Sequence, residues 1–364
     1  MMKTITVLPG DGIGPEVTTS AVRVLRALFE KSGRDVQFIE KKIGGAAIDT
    51  FGTPLPQETI DQCHNSDAIL LGAVGGPKWN AQSMNVRPEQ GLLGIRKTMG
   101  LFANLRPVEA FDTLIDSSPI KRSFVEHVNF VIVRELTGGL YFGRPSERRG
   151  AHHEQVVDTL SYSKNEIERV VEKAFQLAMK RNKKLTSIDK ANVLESSRMW
   201  RELVNQIAER YPEVTVSHQL VDSAAMQLIT NPAQFDVLVT ENMFGDILSD
   251  EASVITGSLG MMPSASLRSD KVGLYEPAHG SAPDIAGQGI ANPLATILSA
   301  ALLLRYSLDM DQEAAQIEKA VRNVLSQGYH TCDLQMEQPN NHIVNTAEIT
   351  DLVINAVNEN QTIA

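Results

Sequence analysis

Short, almost wholly apolar runs take turns with stretches in which apolar residues recur every three or four positions. Residues 5–8, 36–39, 68–74, 129–135, 185–188, 214–221 and 235–239 read as strands, most of them continuous enough to be covered on both faces, as in a parallel sheet. Between them, Val17, Ala21, Val24, Leu25 and Leu28 form one helical stripe, Ile167, Val170, Val171, Ala174 and Ala178 a second, and Ile317, Ala320, Val321, Val324 and Leu325 a third. Start and stop signals agree with this division. Gly33, Gly100 and Gly328 stand where helices should end, Pro88 where one should begin, and Ser163-x-x-Glu166 forms a capping box. Asp311 and Thr346 are the expected caps of the last two helices, and Asn292-Pro293 opens the apolar stretch 294–304. That stretch falls short of the ~20 residues that span a bilayer, so it predicts a buried helix, in a core or at a subunit interface. The alternation predicts an α/β protein with largely parallel sheets and helices on both sides. Residues 143–162 break the pattern: a charged stretch, then weak alternation, which predicts a hairpin arm.

Composition narrows the class. With 364 residues the chain has room for two domains. A formal charge of −10 argues against nucleic acid as a partner and for a soluble protein. Cys63 and Cys332 lack metal-ligand spacing and suit a reducing compartment such as the cytoplasm. The opening MMKTITVLPGDG holds too short an apolar run for a signal peptide, and nothing indicates a membrane address.

The charged residues then supply candidate chemistry. Asp246 and Asp250 sit four apart in a predicted helix after strand 235–239, so they project from one face. Like charges at that spacing need compensation. A divalent cation would provide it, and a solvated acidic face is the simpler alternative. Asp222 closes the strand 214–221 and stands ready to join them. Arg96, Arg106 and Arg134 each lie near an element end facing a loop, which suits a small di- or polyanion, although each taken singly reads as a surface or a salt-bridged Arg. Lys190 follows the buried strand 185–188. It either points into solvent, or it is paired or has a depressed pKa, both of which suit a general base. Gly75, Gly76 and Pro77 form a mouth at a strand's carboxyl end, where open α/β sheets bind ligands, and Gly280, Ser281 and Ala282 are small enough for a backbone to approach phosphates. Gly10, Gly12 and Gly14 alternate and are followed by Pro15, so the dinucleotide fingerprint of a Rossmann fold fails here.

PGDGIGPEV, GGPKW, RPEQGLLGIRK, NLRPV, VRELTGGLYFG, TSIDKANVL, NMFGDILSDEAS, GSLGMMPSAS and EPAHGSAPDIAGQGIANP follow one another in an order that resembles the β-decarboxylating dehydrogenases, the isocitrate/isopropylmalate dehydrogenase-like family. The resemblance runs from about Ile5 to Leu304. It implies a two-domain α/β subunit that is not a Rossmann fold, with 1–102 and 257–364 forming a cofactor-side domain and 103–256 a substrate, metal and dimerisation domain. It also implies a homodimer with shared active sites. Arg96, Arg106 and Arg134 would grip the carboxylates of a malate core, and Asp246, Asp250 and the other subunit's Asp222 would hold Mg²⁺ or Mn²⁺, with Asp222 also at the substrate. Lys190, also from the other subunit, would be the general base and Tyr141 the acid. NAD would be held by Gly76, Glu89, Gly280, Ser281, Ala282, Pro283, Asp284, Ile285 and Asn292. Asp284 has its own physical reading: a carboxylate accepts from ribose hydroxyls and repels a 2′-phosphate, favouring NAD over NADP. The implied reaction is metal-assisted oxidation of a hydroxy-diacid followed by loss of CO₂.

Leu92 and Leu93 beside Arg96 predict the substituent on the malate core. They offer an apolar wall to an isopropyl group, whereas the third carboxylate of isocitrate or homoisocitrate would lose several kcal/mol of hydration there. Tartrate is disfavoured less firmly. A metal-dependent hydrolase or lyase, or a silent binding protein, is the alternative of another class. Intact Lys190, Tyr141 and three Asp residues speak against silence.

Overall fold

The computed structural model describes residues 2–83, 86–334, 336 and 341–359. The chain divides into two compact units. One comprises Met1–Met99, Phe111–Arg122 and Ser253–Ala364, and the other Gly100–Ala110 and Ser123–Ala252. The first unit takes in Phe111–Arg122, a stretch that the sequence reading assigns to the central segment.

In the first unit, strands β1 (Lys3–Gly10), β2 (Val36–Glu40), β3 (Ala68–Ala73), β11 (Pro263–Leu267) and β12 (Gly273–Pro277) lie in the order β2-β1-β3-β12-β11. All neighbours are parallel except β12 and β11. Helices α1 (Gly14–Ser32), α2 (Gly45–Phe51), α3 (Gln57–His64), α4 (Pro88–Thr98), α10 (Leu294–Ser307), α11 (Asp311–Ser326) and α12 (Thr346–Glu359) flank them. Every residue of 294–304 is buried, and α10 packs against β12, β11, α1 and α11. This helix therefore belongs to its own unit's core and needs no subunit interface to cover it. Gly33 ends α1 in the left-handed conformation, and Pro88 opens α4. Two predicted caps shift. Asp311 lies inside the first turn of α11 and makes no capping bond. At α12 the cap is Asn345, whose Oδ1 accepts from Glu348 N while Glu348 Oε2 accepts from Asn345 N, both at 2.9 Å. Among the described residues, no helix is long and apolar enough to cross a membrane.

In the second unit, β4 (Ala103–Glu109), β5 (Asn129–Glu135), β8 (Lys184–Asp189), β9 (Thr215–Leu220) and β10 (Val237–Thr240) run in the order β4-β5-β10-β8-β9. Only β4 is antiparallel to its neighbour. The short α5 (Arg122–Val125) leads towards β5, and α6 (Lys164–Met179), α7 (Glu195–Ala208), α8 (Val221–Thr230) and α9 (Asn242–Ala252) complete the unit. Ser163 and Glu166 close the predicted capping box on α6. The arm is a hairpin: β6 (Glu147–Arg149) pairs antiparallel with β7 (Gln155–Val157), and Val156 in the middle of β7 is 69% exposed. Asp222 sits in the first turn of α8 and not at a strand end, because the chain turns helical at Val221. α9 begins at Asn242, two residues after β10 ends.

Candidate active site

The site in the second unit is built on α9. Strand β10 is wholly buried, and it hands the chain to Glu241, whose Oε1 accepts from Phe244 N at 2.9 Å and so caps the helix. Asp246 and Asp250 follow one turn apart. Their mutual repulsion is met by two guanidinium groups brought in by β4 and β5. Arg106 sits mid-strand; its Nη1 donates to Ser249 Oγ at 2.6 Å and to Asp250 Oδ1 at 3.2 Å, its Nη2 lies 3.5 Å from Asp246, and its Nε donates to Asn104 Oδ1 at 3.0 Å. Arg134 pairs through Nη1 with Asp246 Oδ1. It lies directly across Gly245: a Cβ there would come 2.6 Å from Arg134 Cγ, so glycine is what allows the approach. The single turn Gly139–Tyr141 after β5 brings the Tyr141 hydroxyl to Asp246 Oδ2, to which it donates at 2.9 Å. Burial, followed by the Asp246 charge, pushes the Tyr141 phenol up to about 12, so it stays a proton donor at neutral pH. Burial also raises Asp250, against the pull of Arg106.

Lys190 follows β8 directly. Its Nζ donates to Asp222 Oδ1 at 2.6 Å, and its backbone N donates to Ser197 Oγ at 3.0 Å. The bond from Lys190 Nζ holds the Asp222 carboxyl below the usual range. The Lys190 ammonium is thus paired within its own chain. Among the described residues no three Asp, Glu, His or Cys side chains gather as a metal site. Asp222 therefore does not join Asp246 and Asp250 within one chain. The donor set that α9 presents, hard carboxylate oxygens on one helix face, fits a hard divalent cation but fills only part of its coordination.

In the first unit, Arg96 on α4 is buried and donates from Nη2 to Glu276 Oε1 at 2.7 Å; Glu276 is buried too. Arg96 Nε is buried with no acceptor. Leu92 and Leu93 are half-buried on the same helix, and Glu89 is exposed in its first turn. Gly12 and Gly14 have a packing reason. A Cβ on Gly12 would lie 2.0 Å from Ser281 O, and Ile13 N donates to that same carbonyl at 2.8 Å. The PGDGIG loop thus braces the loop 280–292. Asp11 braces the other candidate loop, accepting from Gly75 N at 2.9 Å as well as from Gly45 N and Ala46 N. Gly76 lies against the Trp79 ring. A Cβ on Gly280 would meet nothing within 4 Å, so no packing demands glycine there. Pro283 and Asp284 are exposed, while Ala282 and Ile285 pack on Ile13, Val17 and Ala291. The Asn292 side chain is committed internally, donating to Asp333 Oδ2 and accepting from Leu294 N, both at 3.0 Å, so its backbone is what remains for a ligand. Beside Gly280, His279 is held neutral by burial, and its Nε2 is buried without a partner. An orphaned ring nitrogen next to an open glycine backbone fits a polar ligand laid along this loop.

Sequence reasoning missed Glu276, Asn242, Tyr162, Asn104, Ser249 and His279. Several stand inside the quoted motifs, but only the fold gives them partners. The resemblance noted in the motifs holds across the chain. The model of the family described as "Isocitrate/isopropylmalate dehydrogenase" matches residues 4–353. The chain is 66% identical over 358 residues to a 3-isopropylmalate dehydrogenase of Heyndrickxia coagulans, covering 98% of this chain and 97% of that one. It is 56% identical over 366 aligned residues to a 3-isopropylmalate dehydrogenase of Bacillus subtilis, covering both chains fully (100% each). Among solved structures, isocitrate dehydrogenase from Methylococcus capsulatus superposes with a TM-score of 0.86 at 34% identity, over 98% of this chain and 100% of that one. An apo β-decarboxylating dehydrogenase from Thermococcus kodakarensis gives 0.80 at 34% identity, over 100% and 98%. The chain belongs to the isocitrate/isopropylmalate dehydrogenase family.

Proposed function

We propose that this chain catalyses the NAD-dependent oxidative decarboxylation of 3-isopropylmalate to 4-methyl-2-oxopentanoate and CO₂, a step of leucine biosynthesis, in the cytoplasm. The observation that carries the reading is the junction at Asp246, where one carboxylate is bound by Arg134, approached by Arg106 and hydrogen-bonded by a protonated Tyr141. It supplies anion grip, a metal ligand and a proton donor within a few ångströms. The names borne by relatives that match almost end to end support the same substrate.

The roles divide as follows. Arg106 and Arg134 orient the malate carboxylates. Lys190 takes the proton from the hydroxyl oxygen as a hydride leaves the carbon that bears it, and Asp222 steadies the ammonium form of Lys190 through the 2.6 Å contact. CO₂ then departs from the β-keto acid, and Tyr141 returns a proton to the carbon it leaves. A divalent cation, Mg²⁺ or Mn²⁺, held by Asp246, Asp250 and Asp222 would supply a Lewis acid for the oxygen being oxidised, and NAD⁺ the hydride acceptor. Leu92 and Leu93 receive the isopropyl group. The loop 280–292, with Gly76 and Glu89, holds the cofactor, and exposed Asp284 favours NAD.

A second copy of the chain completes the site. Support comes from Lys190 and Asp222 standing apart from the α9 carboxylates, and from Met226 and Ile229 on α8 and Ile247 on α9, which are 61%, 47% and 59% exposed. These three side chains offer an apolar face for a partner. The test is appearance of reduced nicotinamide with 3-isopropylmalate, Mg²⁺ and NAD⁺, run beside isocitrate, tartrate and NADP⁺. A signal in the first cell alone is expected. A stronger signal with another hydroxy-diacid would overturn the assignment of Leu92 and Leu93. Silence in every cell would overturn the dehydrogenase reading.

A further inference from the structure

Arg134 owes its position to groups that the proposed chemistry does not use. Its Nε and Nη2 both donate to one atom, Asn242 Oδ1, at 3.1 and 2.8 Å. The Asn242 amide is itself fixed, because its Nδ2 donates to Gly138 O at 3.1 Å. That bond settles which way the amide faces: oxygen towards the guanidinium, nitrogen towards the Gly138–Gly139 turn. The backbone N of Asn242 donates to the Tyr162 hydroxyl at 2.9 Å, and that hydroxyl donates in turn to Glu241 Oε2 at 3.3 Å. The Tyr162 ring is wedged beneath the turn that carries Tyr141. A Cβ on Gly138 would lie 2.6 Å from that ring, and Gly139, at φ +73°, closes the turn with its N donating to Ser161 O at 3.0 Å. Asn242 and Arg134 are both buried.

We infer that Asn242, braced by Tyr162, is a positioning residue that aims the Arg134 guanidinium at a substrate carboxylate and ties the Tyr141 turn to the first turn of α9. The inference rests on the proposed reading of Arg134 as a carboxylate binder. The physical basis is directional. One neutral oxygen that takes two N–H groups fixes the plane of the guanidinium without adding a second negative charge to that of Asp246, which already pairs with Nη1. A carboxylate at position 242 would fix the plane as well but would set a second negative charge against the guanidinium beside that of Asp246. Tyr162 acts one step further back by anchoring the backbone that Asn242 stands on.

The test uses Asn242→Ala and Tyr162→Phe in the full chain. Losing two bonds from a charged donor predicts a KM for 3-isopropylmalate higher by about tenfold to a hundredfold in Asn242→Ala. Calorimetric affinity for malate should weaken by a similar factor, while the KM for NAD⁺ stays within about twofold. Tyr162→Phe should move the same constants in the same direction by a smaller factor, about threefold, and it carries the test if Asn242→Ala does not fold. A folded Asn242→Ala protein with unchanged substrate KM and malate affinity would overturn the inference. So would equal losses for substrate and NAD⁺, which mark a general structural defect. If the wild type shows no turnover of 3-isopropylmalate, the functional proposal fails separately. The positioning claim is then read from the Arg134 Nε–H resonance, slowly exchanging in the wild type and lost in Asn242→Ala; a resonance that survives the substitution would overturn it.

Discussion

The pair Arg96–Glu276 separates stability from binding. Its side chains are each 8% exposed and its contact is 2.7 Å. Arg96→Met alone leaves the Glu276 carboxylate buried without its cation. Breaking a buried pair in this way costs about 3–5 kcal/mol, whereas replacing both partners by apolar groups of similar size is often close to neutral. At about 2–4 °C per kcal/mol for a unit of this size, the single variant should melt roughly 10 °C lower. Arg96→Met combined with Glu276→Leu should regain most of that loss. Differential scanning calorimetry measures the stability arm of the cycle. Steady-state kinetics measures the other arm, where Arg96 is assigned a grip on the substrate carboxylate. The stable double variant should still show a KM for 3-isopropylmalate raised about tenfold or more. A single variant that loses less than about 1 kcal/mol would refute the buried pair as a strong contact. A stable double variant with normal KM would refute Arg96 as a substrate ligand and leave it a purely structural cation.

Four further outcomes are expected. Asp246→Asn should lower kcat at least about a hundredfold; with Asp246 a third exposed, the stability loss should be only about 1 kcal/mol, so a folded variant with wild-type activity under limiting Mg²⁺ would remove Asp246 from the site. Mixing inactive Lys190→Ala and Tyr141→Ala proteins under conditions that exchange subunits should restore part of the activity, and no recovery with exchange confirmed would count against a site shared between two copies. Of the two free cysteines, exposed Cys332 should react promptly with a thiol reagent, whereas Cys63, buried and pushed up to about 12, should react only on unfolding; two fast thiols would contradict that burial. Burial lowers His279 below its ordinary 6.5, so on acidification the unfolded chain takes up that proton first and stability falls, by at most about 1.4 kcal/mol per pH unit for one group, levelling off once pH passes the folded pKa. His279→Asn should flatten this part of the profile while His218, lowered in the same sense, keeps its share; an unchanged profile would contradict the lowering of His279.

Local signals carried far into the fold. Strand and helix alternation, the Ser163–Glu166 box, Pro88 at the start of α4, the hairpin over 143–162 and the carboxylates one turn apart on α9 all depend on neighbours within a few positions. What the sequence hid is long-range. Arg96 meets Glu276 across 180 residues, and Arg134 meets Asn242 across 108, distances at which periodicity says nothing. Caps went astray for a related reason. Asn345 and Thr346 both suit a cap, and only the reciprocal bond to Glu348 decides between them. The glycines of PGDGIG fail the dinucleotide fingerprint, and only the fold gives a reason for Gly12: the Ser281 carbonyl needs its space. For Asp246 and Asp250 the sequence offers a divalent cation or a solvated acidic face, and Arg106 and Arg134 supply part of the compensation within the chain.

Oxidative decarboxylation of 3-isopropylmalate is tested most directly by following two products at once. With 3-isopropylmalate labelled with ¹³C in the carboxylate to be lost, plus Mg²⁺ and NAD⁺, reduced nicotinamide and labelled CO₂ should appear together in equal amounts, with 4-methyl-2-oxopentanoate as the remaining product. Reduced nicotinamide without labelled CO₂ would leave a simple hydroxy-acid dehydrogenase, and neither product from folded, metal-supplied protein would contradict the assignment altogether.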